Sequence, residues 1–163
     1  MSSFLALDFE TADSRPDSAC AIGLVRVQHN QIVQRVYCLI RPPRQRFQFT
    51  WVHGITWEDV ATEPTFDKLW STLAPLLNGA DFIAAHNARF DKRVLQACCD
   101  AHGISQPKQR FVCTMKLARD LWNIYPTKLP NVCEYLGIEL EHHQALSDAE
   151  ACAQIVIAAN QHL

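Results

Sequence analysis

Short apolar runs separated by turn residues predict the strands of this chain. The run at 4–7 predicts a buried first strand. Two β-branched runs, at 21–27 and 32–40, meet around His29-Asn30 and predict an antiparallel hairpin beside that strand. A further run at 82–85 predicts another strand, and each run is short enough to be a strand rather than a helix.

Helical spacing appears between and after these runs. Thr65 is a candidate cap for a helix that Pro75 should shorten or bend and Gly79 should end. Its inward residues are expected to be Phe66, Leu69, Trp70, Leu73 and Leu77. Asn87 is a suitable N-cap for a second helix, which Gly103 should stop. The apolar face of this second helix is expected to hold Phe90, Val94, Ala97, Cys98 and Ala101.

Three more helices are predicted toward the C-terminus, and a long loop is predicted earlier in the chain. Thr114 is expected to cap a helix through Trp122, and a short helix is expected at 130–136. Ser147 and Glu150 form an S-x-x-E pattern, which predicts that the last helix starts at Ser147. Cys152, Ile155, Val156 and Ala159 would form its buried face. The segment after 41–43 is interpreted as a loop reaching Thr56.

Two acids follow the first apolar run, in Leu7-Asp8-Phe9-Glu10-Thr11. Alternate residues of a strand share a face, so the Cα atoms of Asp8 and Glu10 should lie roughly 6–7 Å apart on one side. Their mutual repulsion would be removed by a divalent cation, for which carboxylate oxygens are suitable ligands. The alternative is a solvated strand end with two acids facing water.

The remaining candidate residues stand at helix starts. Asp91 would lie in the first turn of its helix, where the helix dipole alone favours an acid. Asp148 would be a first-turn residue of the last helix, with His143 on the preceding loop. An exposed polar histidine or a weak adventitious metal ligand is the alternative for His143. Each of these sequence motifs, taken alone, therefore does not establish a metal site.

Four blocks in order resemble a known family. They are Asp8-Phe9-Glu10-Thr11, Val52-His53-Gly54-Ile55-Thr56, His86-Asn87-Ala88-x-Phe90-Asp91, and His143-x-Ala145-Leu146-x-Asp148-Ala149. With these blocks the chain resembles the DEDD exonucleases over about 4–157, in the histidine-bearing DEDDh subclass that includes the proofreading epsilon subunit of DNA polymerase III. Gln144 stands where the competing subclass would have tyrosine. The resemblance implies an α/β, RNase H-like fold, a mixed β-sheet flanked by helices.

The resemblance also implies the site residues. By it, Asp8, Glu10, Asp91 and Asp148 hold two Mg²⁺ or Mn²⁺ ions, with Asp8 bridging them and Asp91 acting partly through water. Two metals suit in-line phosphoryl displacement, and a neutral imidazole suits the role of general base. His143 receives that role, and His142 is excluded by the family spacing.

The same resemblance implies contacts to the 3′-terminal nucleotide. The residues concerned are Thr11, Val52, His53 and Phe90. Apolar and aromatic side chains there would stack on a base without reading its identity. Ordinary core packing is the alternative for Val52 and Phe90, and a role as a helix cap alone is the alternative for Asn87.

Composition is compatible with this interpretation. A chain of 163 residues that is 48% hydrophobic is expected to form a single domain over 1–163. A net charge of −2 argues against a protein that wraps duplex DNA, but not against one that grips a few terminal nucleotides. Two small basic groupings could contact a phosphate backbone, although a solvated surface is their more ordinary explanation. They are Arg41, Arg44 and Arg46, and Lys116, Arg119 and Lys128.

The seven cysteines show no C-x-x-C spacing and lie mostly in apolar patterns, so we expect free thiols and a cytoplasmic location. No signal peptide and no membrane-spanning run is apparent.

The expected activity is hydrolysis of single-stranded DNA or RNA 3′ ends to nucleoside 5′-monophosphates, with DNA favoured. The alternatives are an exoribonuclease or short-oligonucleotide hydrolase, or a catalytically idle nuclease-fold module docked on a polymerase or repair complex. A thiol-based redox or zinc-binding protein has little support. One departure from the family is the long polar loop after Thr11, which borders the expected pocket and leaves the choice between DNA and RNA open.

Overall fold

A five-stranded mixed sheet organises the chain, whose residues 3–162 are described by the computed structural model. The strands are β1 (Ser3–Thr11), β2 (Ala19–Gln28), β3 (Gln31–Leu39), β4 (Phe82–Ala85) and β5 (Arg110–Cys113). Their spatial order is β3-β2-β1-β4-β5. The first three strands are antiparallel, while β4 and β5 run parallel to β1. The expected mixed sheet flanked by helices is therefore confirmed.

The hairpin prediction is also confirmed, and the first strand is longer than expected. His29 and Asn30 both have positive φ angles, as a two-residue hairpin turn of type I′ requires. β1 continues past the apolar run to Thr11, so Asp8 and Glu10 belong to the strand itself. β5 was not expected from the sequence.

Seven helices follow or connect the strands within residues 3–162. They are α1 (Thr50–His53), α2 (Trp57–Val60), α3 (Phe66–Leu73), α4 (Ala88–Ala101), α5 (Thr114–Trp122), α6 (Leu129–Leu136) and α7 (Ala145–His162). α3 passes into a 3₁₀ turn at Ala74–Leu77, which confirms that Pro75 shortens the helix. The prediction of a loop up to Thr56 was wrong in part, because α1 lies within this segment. The helix ends before Gly54, whose backbone is left-handed.

The expected start of the last helix at Ser147 was wrong. α7 begins two residues earlier because the Gln144 side chain accepts the Ser147 backbone N–H at 2.7 Å. The Ser147 hydroxyl instead accepts the Glu141 backbone N–H at 2.8 Å, and Glu150 forms an ion pair with Arg35. The S-x-x-E pattern is thus not a capping box here.

The buried face of α4 also differs from the expectation. Its buried residues include Asp91, Val94, Leu95, Cys98 and Cys99, whereas Phe90 is 45% exposed and Ala101 is exposed. Core packing, one alternative for Phe90, is therefore wrong. Asn87 stands at the N-cap position but is left-handed and makes no side-chain cap bond.

Two hydrophobic layers hold the sheet. Leu5, Leu7 and Phe9 point to one face and join the cluster that includes α3 and α4 residues. Phe4 and Ala6 point to the other face and pack with α7, and Phe4 stacks on Phe82 at 5.0 Å between ring centroids. Because strand side chains alternate, Asp8 and Glu10 continue the α7 side of β1.

The seven cysteines are free, as expected, and five of them are buried. Among the described helices, none is long and apolar enough to cross a membrane.

Gly23 allows the first turn of α7 to lie directly on the sheet. It is the β2 partner of Asp8, and a Cβ atom at this position would lie 2.3 Å from the Ala145 carbonyl oxygen. Because α7 carries Asp148 only three residues farther on, the missing side chain at Gly23 helps to set the distance between Asp8 and Asp148.

We predict that Gly23→Ala lowers the free energy of unfolding by about 1–3 kcal/mol or more, because the added methyl group overpacks a rigid backbone contact. Urea unfolding measures this change. Gly103→Ala is the control, since a Cβ there meets nothing within 4 Å and only its positive φ opposes the substitution. Equal stabilities of Gly23→Ala and the unaltered protein would contradict this account of the packing.

Candidate active site

An open cleft of about 450 Å³ lies where the C-terminal ends of β1 and β4 meet the first turns of α4 and α7. It contains eight of the nine residues singled out in the sequence. These are Asp8, Glu10, Thr11, Val52, His53, Phe90, His143 and Asp148. Asp91 does not line it. Residues separated by up to 140 positions thus converge on one surface.

Three carboxylates meet at the floor of the cleft. Asp8, Glu10 and Asp148 each offer an oxygen atom, and these atoms lie within 4.8 Å of one another. Desolvation by burial raises the pKa of Asp8 well above its usual value, and the neighbouring charges of Asp91, Asp148 and Glu10 raise it further. Burial and the charges of Asp148 and Asp91 likewise raise the pKa of Glu10 to about 8. Such a cluster favours either protons or a bound cation.

The donor set fits a divalent metal ion. Asp8 Oδ2 is buried and has no hydrogen-bond partner among residues 3–162, which is costly for a polar atom. Hard carboxylate oxygens are the ligands that Mg²⁺ and Mn²⁺ prefer. A cation between these carboxylates would satisfy the orphaned oxygen and offset the repulsion.

Asp91 is held behind this group. It is 1% exposed, and its Oδ1 accepts the Phe9 backbone N–H at 2.9 Å, which ties α4 to β1. Burial raises the pKa of Asp91 to about 8, although the Phe9 N–H acts in the opposite direction. Asp91 is not one of the three clustered carboxylates, so the structure brings three of the four expected acids together and places the fourth behind them.

His143 and His142 both line the cleft beside Asp148. The His143 backbone N–H donates to Asp148 Oδ2 at 3.1 Å, and His142 Nδ1 donates to Asp148 Oδ1 at 3.3 Å. The two imidazoles stack with centroids 3.7 Å apart, and His143 has a φ of 69°. Burial lowers the pKa of His143, and the charge of His142 lowers it further, so the neutral ring is favoured. The contact of His142 with Asp148 was not expected from the spacing.

Two other cleft histidines are fixed by hydrogen bonds at both ring nitrogens. His53 Nε2 donates to the Thr11 carbonyl at 2.9 Å, and His53 Nδ1 accepts the Ile55 N–H at 3.0 Å. Burial lowers the pKa of His53, as it does that of His86. Any contact between His53 and a substrate would therefore use the ring surface rather than a free nitrogen.

His86 joins three separate parts of the cleft wall. Its Nε2 donates to the Thr127 carbonyl at 2.8 Å, and its Nδ1 lies 2.8 Å from the Thr114 hydroxyl. The ring therefore links the end of β4 to the start of α5 and to the loop before α6. The His86-Asn87 block pointed to this place in the chain, but spacing alone could not show a bracing role.

Apolar and basic side chains complete the cleft. Lining residues not singled out as site residues are Phe9, Phe49, His86, Asn87, Met115, Lys128, Leu129 and His142. Of the two basic groupings, only Lys128 lines the cleft. Arg44 pairs with Asp13 and Asp17, Lys116 pairs with Asp120, and Arg119 lies over the Tyr125 ring.

Comparisons with known proteins agree with this architecture. The model of the exonuclease family RNase_T matches residues 5–156. The chain is 32% identical over 158 residues to a PolC-type DNA polymerase III of Thermotoga petrophila, covering 94% of this chain and 12% of that protein. It is 34% identical over 145 residues to exodeoxyribonuclease 10 of Escherichia coli K12, covering 83% of this chain and 59% of that enzyme. It thus spans less than two thirds of either relative.

A solved structure of exonuclease X in complex with 5′ overhanging duplex DNA superposes with a TM-score of 0.79 at 27% identity. The alignment covers 97% of this chain and 91% of the other.

The raised carboxyl pKa values predict that the metal-free protein loses stability as pH rises. The pKa of Glu10 goes from 4.5 to about 8 on folding, so the native state holds more protons than the unfolded chain between these values. The free energy of unfolding should therefore fall from about pH 4.5 to pH 8. Thermal unfolding in EDTA at stepped pH measures this, and added Mg²⁺ should raise Tm more at pH 8 than at pH 5.

The matched variant is Asp8→Asn, which removes one charge and should raise the metal-free Tm at pH 8 while weakening the response to Mg²⁺. Glu134→Gln removes a charge from the exposed face of α6 and should change neither. A metal-free Tm that climbs between pH 5 and pH 8 would be incompatible with a repelling carboxylate cluster.

Proposed function

We propose, because this chain belongs to the RNase_T exonuclease family, that it is a metal-dependent 3′→5′ exonuclease acting on single-stranded nucleic acid ends, with DNA favoured over RNA. Its products would be nucleoside 5′-monophosphates. The observation that carries the proposal is the group of three carboxylates on the floor of an open cleft, one of them with an orphaned buried oxygen. A preference for DNA is supported by relatives whose names specify a DNA polymerase and an exodeoxyribonuclease.

The carboxylates would hold the metal ions. Asp8, Glu10 and Asp148 would be direct ligands, and Asp91 would support them from behind through its position against β1. Two Mg²⁺ or Mn²⁺ ions bound there would supply positive charge to the attacking and leaving oxygens of an in-line displacement. Their binding would also keep the acids ionised near neutral pH.

His143 would act as the general base. His53 and His86 use both ring nitrogens within the protein, and His142 uses Nδ1 on Asp148. Among the cleft histidines of the described chain, only His143 has a ring that makes no hydrogen bond. Its lowered pKa also favours the neutral form that can accept a proton.

These roles together would account for hydrolysis of the terminal phosphodiester bond. A water oxygen would form a bond to the scissile phosphorus and give one proton to His143, while the bond from phosphorus to the 3′ oxygen of the preceding nucleotide breaks. The departing 3′ oxygen would take up a proton from solvent water, and His143 would then release its proton to solvent. The terminal nucleotide leaves with its 5′ phosphate, and the shortened strand keeps a 3′ hydroxyl.

The cleft walls would hold the terminal nucleotide without reading its base. Val52 and the exposed ring of Phe90 offer apolar surfaces at the mouth, and Thr11 and His53 lie beside the acids. Stacking on such surfaces tolerates any base. An exoribonuclease or short-oligonucleotide hydrolase would use the same site, whereas an idle docking module would have no use for clustered acids with raised pKa values.

We further propose that the chain works in the cytoplasm near a polymerase or repair complex. PolC-type relatives support the polymerase context, and seven free cysteines support a reducing compartment.

End-labelled single-stranded DNA and RNA test the proposed activity. With Mg²⁺ or Mn²⁺, we expect successive shortening from the 3′ end, faster for DNA, and no reaction in EDTA or with Asp8→Asn. Glu134→Gln controls for loss of an acid outside the cleft. Release of mononucleotides from the 5′ end, or activity that survives chelation, would contradict the proposal.

A comparison of His143→Asn with His142→Asn tests the base. Asparagine tolerates the positive φ at position 143 better than most residues, so the loop should persist. His143→Asn should lower kcat by about 10²–10⁴-fold with Mg²⁺-dependent Tm retained, since only proton transfer is lost. His142→Asn should lower kcat less. The reverse ranking would move the general base to His142.

A further inference from the structure

A second, smaller cavity adjoins the catalytic cleft. It has a volume of about 210 Å³ and shares Thr11, Phe49 and Phe90 with the cleft as a common wall. The rest of its lining comes from the loop after β1 and from α4, namely Asp13, Ser14, Arg15, Pro16, Arg93 and Val94. The cavity therefore lies beyond the aromatic side chains at the mouth of the catalytic site.

Two arginines give this side cavity a positive charge. Arg15 and Arg93 are exposed, and neither guanidinium makes a hydrogen bond or ion pair with another residue of the described chain. The nearby acids are already neutralised in part, because Arg44 pairs with both Asp13 and Asp17. The positive charge of the two free arginines thus remains available to an anion.

The loop that carries Arg15 is held rigidly. The Ala12 N–H donates to the Ser18 carbonyl at 2.8 Å, and the Arg15 N–H donates to Asp13 Oδ1 at 2.9 Å. The Ser18 hydroxyl donates to the Arg15 carbonyl at 2.7 Å, and Gln48 binds the outer side of the loop through Ser14. A positively charged side chain on a fixed backbone loses less entropy on binding than one on a mobile loop.

The exposed face of α4 extends the same charge. Arg89 and Lys92 are exposed on either side of Phe90 and Asp91, and Asp91 itself is buried. The outer surface of this turn therefore presents cations around one exposed aromatic ring. This combination of an aromatic ring and cations suits the binding of single-stranded nucleic acid, because bases stack on aromatic rings and phosphates pair with cations.

Resting on the proposed function, we propose that Arg15 and Arg93 form a subsite for the phosphate of the nucleotide that precedes the terminal one. The terminal nucleotide occupies the catalytic cleft, Phe49 and Phe90 separate the two nucleotides, and the strand continues over α4. Guanidinium groups suit this role because their planar donors match phosphate oxygens. The long polar loop after Thr11 thereby sets a preference for strands over single nucleotides.

The test compares substrates with and without a preceding nucleotide. The p-nitrophenyl ester of thymidine 5′-monophosphate has none, whereas single-stranded dodecathymidylate supplies several. In the double variant R15Q/R93Q, the ratio of kcat/KM for the oligonucleotide to kcat/KM for the ester should fall about tenfold. The slope of log(kcat/KM) against log salt for the oligonucleotide should become shallower by about 0.7 for each lost phosphate contact.

Lys108→Gln is the control, because Lys108 precedes β5 and so lies at the end of the sheet opposite the cleft. It should change neither the ratio nor the salt slope. Thermal unfolding of R15Q/R93Q should match that of the unaltered protein, since both side chains are exposed.

Binding provides a readout that does not need turnover. With Asp8→Asn as the background, R15Q/R93Q should weaken the affinity for fluorescent dodecathymidylate about tenfold in anisotropy titrations. An unchanged ratio and an unchanged affinity would overturn the side-cavity subsite. If the unaltered protein hydrolyses neither substrate, the proposed function fails, and the anisotropy result alone then decides for or against the subsite.

Discussion

Repulsion among carboxylates at the end of β1 is the constraint that the rest of this fold has to overcome. Asp8, Glu10 and Asp148 are held within 4.8 Å although they come from opposite ends of the chain. The hydrophobic layers on both faces of the sheet supply the free energy, since each fully buried large apolar side chain contributes roughly 1.5–3 kcal/mol. Local contacts then fix the positions of the acids. The Phe9 N–H holds Asp91 against β1, and the absence of a side chain at Gly23 lets the first turn of α7 approach the sheet. The acids are therefore already brought together at the place where a cation would bind.

Much of the fold could be predicted because its signals are local. The apolar run at 4–7 located β1, and the alternation of side chains along a strand put Asp8 and Glu10 on one face. The two left-handed residues of the hairpin fit His29-Asn30. β5 was missed because its four residues follow a polar stretch and are only partly buried. α1 was missed for a related reason. A single turn of helix has no periodicity to detect, and its stability depends on a tertiary setting that the sequence does not display.

The site was harder to predict where it depends on the rotation of a helix about its axis or on the groups that cap a helix. Hydrophobic periodicity put Phe90 inward, but the bond from the Phe9 N–H to Asp91 turns the acid toward β1 and leaves Phe90 at the cleft mouth. The Ser147 pattern failed because a glutamine one residue before α7 satisfies the same N–H group. The rings of His53 and His86 are held by carbonyl groups up to 42 positions away, whereas the His142 ring meets the Asp148 carboxylate. Sequence spacing does not show these partners, so it could not separate the roles of the cleft histidines.

Overall charge was the least informative property of this chain, because pairing determines where charge is available. The net charge of −2 suggests little affinity for a polyanion. Yet Arg44 neutralises Asp13 and Asp17, and the clustered carboxylates have raised pKa values that bound cations would reverse. What remains at the cleft mouth is a set of cations on the loop after β1 and on α4, beside an exposed ring. A weakly acidic protein can therefore present a locally cationic surface next to a cleft with an acidic floor. Cations bound at that floor would make the floor positive as well, so that the cleft and its mouth would together attract phosphate.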